Sequence, residues 1–215
     1  MGVLLMLMTI GGLLAATALL AISLYTNKRW LRNFVLGCVA IWFAFYAAML
    51  LGYSFSSEER DLSLNEPKEY CGFYFDCHMH TAVTIVRRTK TIGNKTANGE
   101  FYVVTVRVFS NARKATLGFG GLKLNVIDAN GRRYPHSPEV EPPESWFDRP
   151  VPAGGSFERE VVFDLPVVVQ NPRLDMYDDG GLIEKVLIDD EDSIFHKRNY
   201  FKLGIEQQIA SGASL

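Results

Sequence analysis

Charge is almost missing from the first 55 residues of this chain, where Lys28, Arg29 and Arg32 are the only ionised side chains. A stretch that poor in charge is not the solvated surface of a water-soluble domain. Cysteine is scarce as well, with Cys38, Cys71 and Cys77 the three in 215 residues. That excludes a disulfide-rich scaffold and leaves room for one bridge. A basic excess is missing: the formal net charge is -2, so no field favours nucleic acid. Also missing are a Gly-rich phosphate loop, a G-x-S-x-G elbow and an H-E-x-x-H pair. Nothing in the spacing of Ser and His orders a triad, so the chain is expected to be noncatalytic and to carry no cofactor.

What is present at the start is two apolar runs, 3–25 and 33–53, joined by the basic connector Asn27-Lys28-Arg29-Trp30-Leu31-Arg32. As helices they would be roughly 30–34 Å long at 1.5 Å per residue, enough for a hydrocarbon core of about 30 Å. Neither run has a polar face, as expected of helices that satisfy their own backbone groups in lipid. Tyr25, Trp30, Tyr53 and Phe55 fall where interfacial aromatics belong. All the basic residues lie in the connector, which the positive-inside rule places in the cytoplasm. Residues 1–55 are therefore expected to be a two-helix transmembrane hairpin in the cell membrane, with both termini outside. A cleaved signal peptide, with Ala16-Thr17-Ala18 as its small-residue site, is the rival. It lacks a charged leading region, and cleavage would leave the basic connector at the new N-terminus.

Residues 56–70 are serine- and charge-rich and are expected to be a solvated tether. From Cys71 the apolar residues alternate, and a strand is expected over 76–88. Residues 101–109 are the strongest strand signal, rich in β-branched and aromatic residues. Leu122 to Asp128 is another, closed by the Asp128-Ala129-Asn130-Gly131 turn before a returning strand at Arg132-Arg133-Tyr134. Pro135, Pro138, Pro142, Pro143, Pro150 and Pro152 keep that stretch out of any central strand. It reads as an exposed loop around Trp146 and Phe147. Strands are expected over 157–165, 182–188 and 193–205, then a frayed tail at 207–215. Short strands punctuated by Gly and Pro predict an all-β antiparallel sandwich over 71–206.

The residues Phe101-Tyr102-Val103-Val104-Thr105-Val106-Arg107-Val108, Val126-Ile127-Asp128-Ala129-Asn130-Gly131, Pro152-Ala153-Gly154-Gly155-Ser156 and Val162-Phe163-Asp164-Leu165-Pro166, in that order, resemble the immunoglobulin-like sandwich domains found behind bacterial lipoprotein signals and membrane anchors. The resemblance covers roughly residues 82–205. It implies an extracytoplasmic module that faces a ligand or partner and transfers no catalytic residue.

Chemistry is densest at Cys71-Gly-Phe-Tyr-Phe-Asp-Cys77-His78-Met79-His80. A Cys71–Cys77 disulfide is one reading. In a straight strand the two would stand roughly 20 Å apart, so the bridge needs a bend, for which Gly72 is available. Copper or zinc is a second reading, with His78 and His80 as a two-point chelate and His136 or His196 as a third ligand. Unpaired buried thiols are the third. Asp175, Asp178, Asp179 and the run from Asp189 to Asp192 raise calcium, without the spacing of an EF-hand. Trp146 and Phe147 are candidate partner contacts, since aromatics on a proline-ordered loop anchor binding well. Asn94-Lys95-Thr96 fits a glycosylation sequon.

The sequence thus leads to a membrane-anchored, noncatalytic extracytoplasmic binding module, in contact with the lipid bilayer and with a protein partner but not nucleic acid. Metal handling through the Cys77–His80 cluster is the alternative. An accessory subunit of a membrane complex is a further one, favoured by the small residues from Gly11-Gly12 onward.

Overall fold

The computed structural model describes residues 2–71, 77–138, 140, 147–178, 184–188 and 190–204. The chain divides into two units, residues 1–58 with 181–197, and residues 59–180 with 198–215.

The first unit is built on α1 (Gly2–Tyr25) and α2 (Arg29–Ser56). Asn27, at φ 52°, turns the chain between them. A turn that short needs no loop, so α2 takes up the basic connector and starts at Arg29 rather than at residue 33. The few polar groups inside the helices are matched. The Thr9 and Thr17 hydroxyls donate to the Leu5 and Leu13 carbonyls, each at 2.8 Å. Trp42 Nε1 donates to Thr9 Oγ1 at 3.0 Å, pinning the two helices together. Both helices are long and apolar enough to cross a membrane. Val35 and Ser54 are the buried residues of α2. Large side chains such as Leu14, Ile41 and Phe43 are exposed.

The second unit is a β-sandwich. One sheet has the order β1-β9-β8-β5-β6, the other β2-β3-β4-β7. The strands are β1 (Arg60–Leu62), β2 (Lys68–Tyr70), β3 (Met79–Ile92), β4 (Lys95–Ser110), β5 (Leu122–Ile127), β6 (Arg133–Pro135), β7 (Ser156–Leu165), β8 (Arg173–Asp178) and β9 (Asn199–Lys202). Pairing is antiparallel except between β1 and β9. Period-two alternation sends Val104, Val106 and Val108 of β4 and Leu174 and Met176 of β8 into one shared core with Phe163 and Phe201. The β5–β6 turn forms where the sequence places it. Gly131 takes φ 77°, open to glycine without steric cost. Asp128 Oδ1 accepts from the Asn130 and Arg132 amides at 2.8 and 2.9 Å, and its Oδ2 accepts from the Tyr134 hydroxyl at 3.1 Å.

Three expectations are corrected. The tether at 56–70 is not a solvated linker, because it contributes an edge strand to each sheet. Leu62 is buried in the core, and the buried Lys68 ammonium donates to the Met176 and Asn199 carbonyls at 2.7 and 3.1 Å. The strand expected over 182–188 is replaced, in its described part, by a 3-10 turn at Glu184–Val186 that belongs to the helical unit. Of the strand expected over 193–205, Asn199–Lys202 forms. The 207–215 tail lies outside the described residues.

Candidate functional site

β3 and β4 form a hairpin longer than the strands beside it. Two register shifts, at Val83/Ile85 and Thr89/Thr91, interrupt their pairing. The first adds one residue, Thr84, on β3; the second sets Lys90 of β3 against residues 97–100 of β4, and each re-aims the side chains that follow. Ile85 and Arg87 thereby stand exposed on the face turned away from the core. Across β4 and β7 that face continues through Val103, paired with Val162, and Thr105, paired with Glu160. Its far end holds a second, smaller apolar cluster of Ala97, Phe101, Val103 and Val162, with Ile92 and Val140 packed against it.

Val140 reaches this cluster beside Ser137, which is tied to the outer edge of β7. The Ser137 amide donates to the Val162 carbonyl at 2.8 Å. Val140 helps to line a groove of about 540 Å³. Ile92, Val103, Val140 and Val162 make its apolar lining, and Thr89 and Thr91 add hydroxyls. Arg87, Glu158, Arg159 and Glu160 supply charge. Arg87 is ion-paired with Glu160, both half exposed, so the pair is adaptable and adds little to stability. Polar and charged side chains outnumber apolar ones in the lining, which suits a polar chain surface better than a small apolar ligand.

The outer face of the other sheet differs in pairing a fully buried charge as well as exposed ones. Fully buried Asp175 is ion-paired with Arg198 at 3.3 Å and Arg133 at 3.9 Å. Arg173 pairs with Glu59 and with Asp61, and its guanidinium lies 4.5 Å from the centre of the Tyr200 ring. Burial lowers the Arg173 pKa, but hydrogen bonds to Glu59 and Asp61 outweigh it and hold it above its ordinary value. Burial first, then the charges of Asp175 and Glu59, raise the Tyr200 hydroxyl.

The residues singled out in the sequence fare differently. Cys71 and Cys77 are bonded, their Cα atoms 4.1 Å apart, so the chain makes the bend a bridge needs. His78 and His80 do not form a chelate. His78 Nδ1 is hydrogen-bonded to Asn111 Oδ1. His80 is 4 % exposed, its ring stacked on Phe109 at 5.0 Å, with no hydrogen-bond partner at either nitrogen. Among the described residues no three of His, Cys, Asp and Glu come together as a metal site. His196 lies in the other unit, its Nδ1 2.8 Å from the Lys197 carbonyl oxygen. Of the acidic residues weighed for calcium, Asp175 is taken by arginines, and Asp190 Oδ1 accepts from the Asp192 amide at 2.9 Å. Asp179 and Asp189 lie outside the described residues.

Phe147 is not an exposed contact. It is 2 % exposed and joins the main core, with the Arg159 guanidinium 4.7 Å from its ring centre. A large aromatic side chain gains more from burial in the core than from exposure to solvent. Trp146 lies outside the described residues. The groove itself went unread in the sequence, because its lining comes from three strands and a loop. The one available signal was the prolines, which mark the stretch that contains Val140.

Neither the protein-family models nor the curated proteins contain a match to this chain. Solved structures do resemble it. A secreted protein of Mycobacterium tuberculosis, MPT63, superposes with a TM-score of 0.40 at 12 % identity, over 57 % of this chain and 99 % of its own. An uncharacterised β-sandwich protein of Clostridium difficile gives 0.39 at 10 % identity, over 69 % of this chain and 98 % of its own. A conserved hypothetical protein of Bacillus anthracis gives 0.39 at 11 %, over 53 % and 95 %. Likeness of this degree carries no argument about function.

Proposed function

We propose that this chain is a membrane-anchored, noncatalytic binding module, with an immunoglobulin-like sandwich held outside the cytoplasm by a two-helix transmembrane hairpin. The observation that carries the binding role is the groove across β3, β4 and β7, where an apolar lining meets an adaptable Arg87–Glu160 pair. Its partner is an extended or loop segment of another protein, with apolar side chains for the lining and polar groups for the rim. The extracytoplasmic location is supported by the Cys71–Cys77 disulfide, since such bonds persist in oxidising compartments. It is supported too by the basic residues confined to the connector.

The test is photocrosslinking in the native membrane, with a crosslinking amino acid at Thr91 beside the groove or at Lys123 on the other sheet. A partner captured from Thr91 and not from Lys123 supports the groove. Equal capture from both sites, or none from Thr91, removes it. The accessory-subunit reading draws on the open sides of Gly11 and Gly12, where an added Cβ meets nothing within 4 Å. It predicts capture from α1 instead.

A further inference from the structure

Between β8 and β9 the chain leaves the sandwich, and its residues 181–197 belong to the helical unit. The described part is fastened to both helices. The Tyr46 hydroxyl donates to the Val186 carbonyl at 2.7 Å. Ser54 and Ser193 hydroxyls lie 3.4 Å apart, both buried. The Lys197 amide donates to Ser57 Oγ at 2.8 Å. Gly2 abuts Ile188 so closely that a Cβ there would stand 1.9 Å from the Ile188 carbonyl oxygen. The segment therefore runs along α2 from Tyr46 to Ser57 and closes over the start of α1.

The exposed side chains of the segment include three large apolar ones beside Lys185 and Lys197, and the acidic residues Asp190, Glu191 and Asp192 are half-buried. Phe195 is 65 % exposed and stacks on Phe55, 67 % exposed, with centroids 5.6 Å apart. Ile194 and Val186 are each 42 % exposed. Phe195 also sits at φ 66°, an unfavourable conformation for a bulky residue. Strain spent on presenting an aromatic ring outward calls for something that receives the ring.

Helix length says what that is. α2 has 28 residues, about 42 Å at 1.5 Å per residue, against a hydrocarbon core of about 30 Å. If the core begins near the basic residues at the start of α2, the last 12 Å or so of the helix lie beyond it, in the headgroup layer. Ser54 and Ser57 fasten the segment along that excess, and Tyr46 fastens it within one helical turn below, at the edge of the core. Its exposed apolar surface is continuous through Phe55 with the exposed apolar surface of the helix.

We infer that the segment 184–197 is an interfacial clasp that inserts Phe195, Ile194 and Val186 into the headgroup layer of the outer leaflet, with Lys185 and Lys197 free to meet lipid phosphates. The occupant of this apolar face is lipid, not a protein chain. The inference rests on the transmembrane reading of α1 and α2.

The test uses the full chain reconstituted in vesicles of phosphatidylethanolamine and phosphatidylglycerol, with the Cys71–Cys77 bond intact. A bimane label is placed at native Cys38, or in a Cys38→Ser background at Phe195→Cys, Ile194→Cys or Lys123→Cys. Lipids carrying a nitroxide near the headgroup or deep in the chain serve as quenchers. Expected are quenching of Cys38 by the deep nitroxide, quenching of positions 194 and 195 chiefly by the shallow one, and none at 123. If Cys38 is quenched while 194 and 195 answer only to aqueous iodide, the clasp is overturned and the transmembrane reading stands. If Cys38 is not quenched by either lipid, both fall.

Discussion

The helical unit and the sandwich use the same side chains in opposite ways. In the sandwich Val104, Val106, Val108 and Leu174 face inward and are fully buried, and charge lines the surface. In the hairpin Leu14, Ile41 and Phe43 face outward, while Ser54 is among the residues buried. Hydrophobicity alone therefore does not mark the interior of this molecule. Period does: alternation of two gives a strand with one wet face, and an unbroken run gives a helix with none.

Substitutions sharpen that comparison. Phe163→Ala empties a fully buried site in the sandwich core and is expected to cost about 3–5 kcal/mol, read from chemical denaturation of the purified chain. Ile41→Arg, at an exposed helix position, would be nearly neutral on a soluble surface. On a transmembrane helix it is expected to raise the cost of insertion by about 2.5–3.5 kcal/mol, seen as loss of membrane-integrated protein in an insertion assay. Full membrane integration of Ile41→Arg would break the comparison.

The smallest effect is expected at Asp128. Burial raises the pKa of its carboxyl, but the Arg132 and Asn130 amides and the Tyr134 hydroxyl outweigh this and hold it below its ordinary value. A folded-state pKa that is depressed gives stability fully present above the unfolded value of about 3.9. That stability is lost as pH falls through the folded pKa. Asp128→Ala should therefore melt below the wild type at neutral pH, with the gap narrowing below about pH 4. A gap independent of pH would mean the turn does not depend on the charge.

Much of the sandwich centre was legible because β4 and β7 are long and strongly patterned. The edges were not. β1 and β2 have three residues each, Arg60-Asp61-Leu62 and Lys68-Glu69-Tyr70. Such strands are too short to show a period, and charge is what protects an edge from pairing with other chains. β8 was not read as a strand: Leu174 and Met176 alternate correctly, but Asp175 and Asp178 raised calcium until the arginines on Asp175 were in view. The groove depends on register shifts between β3 and β4, which change which side chains share a face. The clasp was misread as strand because Ile188 and Ile194 are apolar, and apolarity does not say which surface will cover them.

The parallel pairing of β1 with β9 has a consequence for the order of assembly. β1 follows α2 almost directly, and its partner residues begin at Asn199. As synthesis proceeds, the helices are complete long before that partner exists, and β1 waits with neither edge paired until β9 emerges. A chain stopped short of Asn199 would carry an open edge on β8 as well as an unpaired β1.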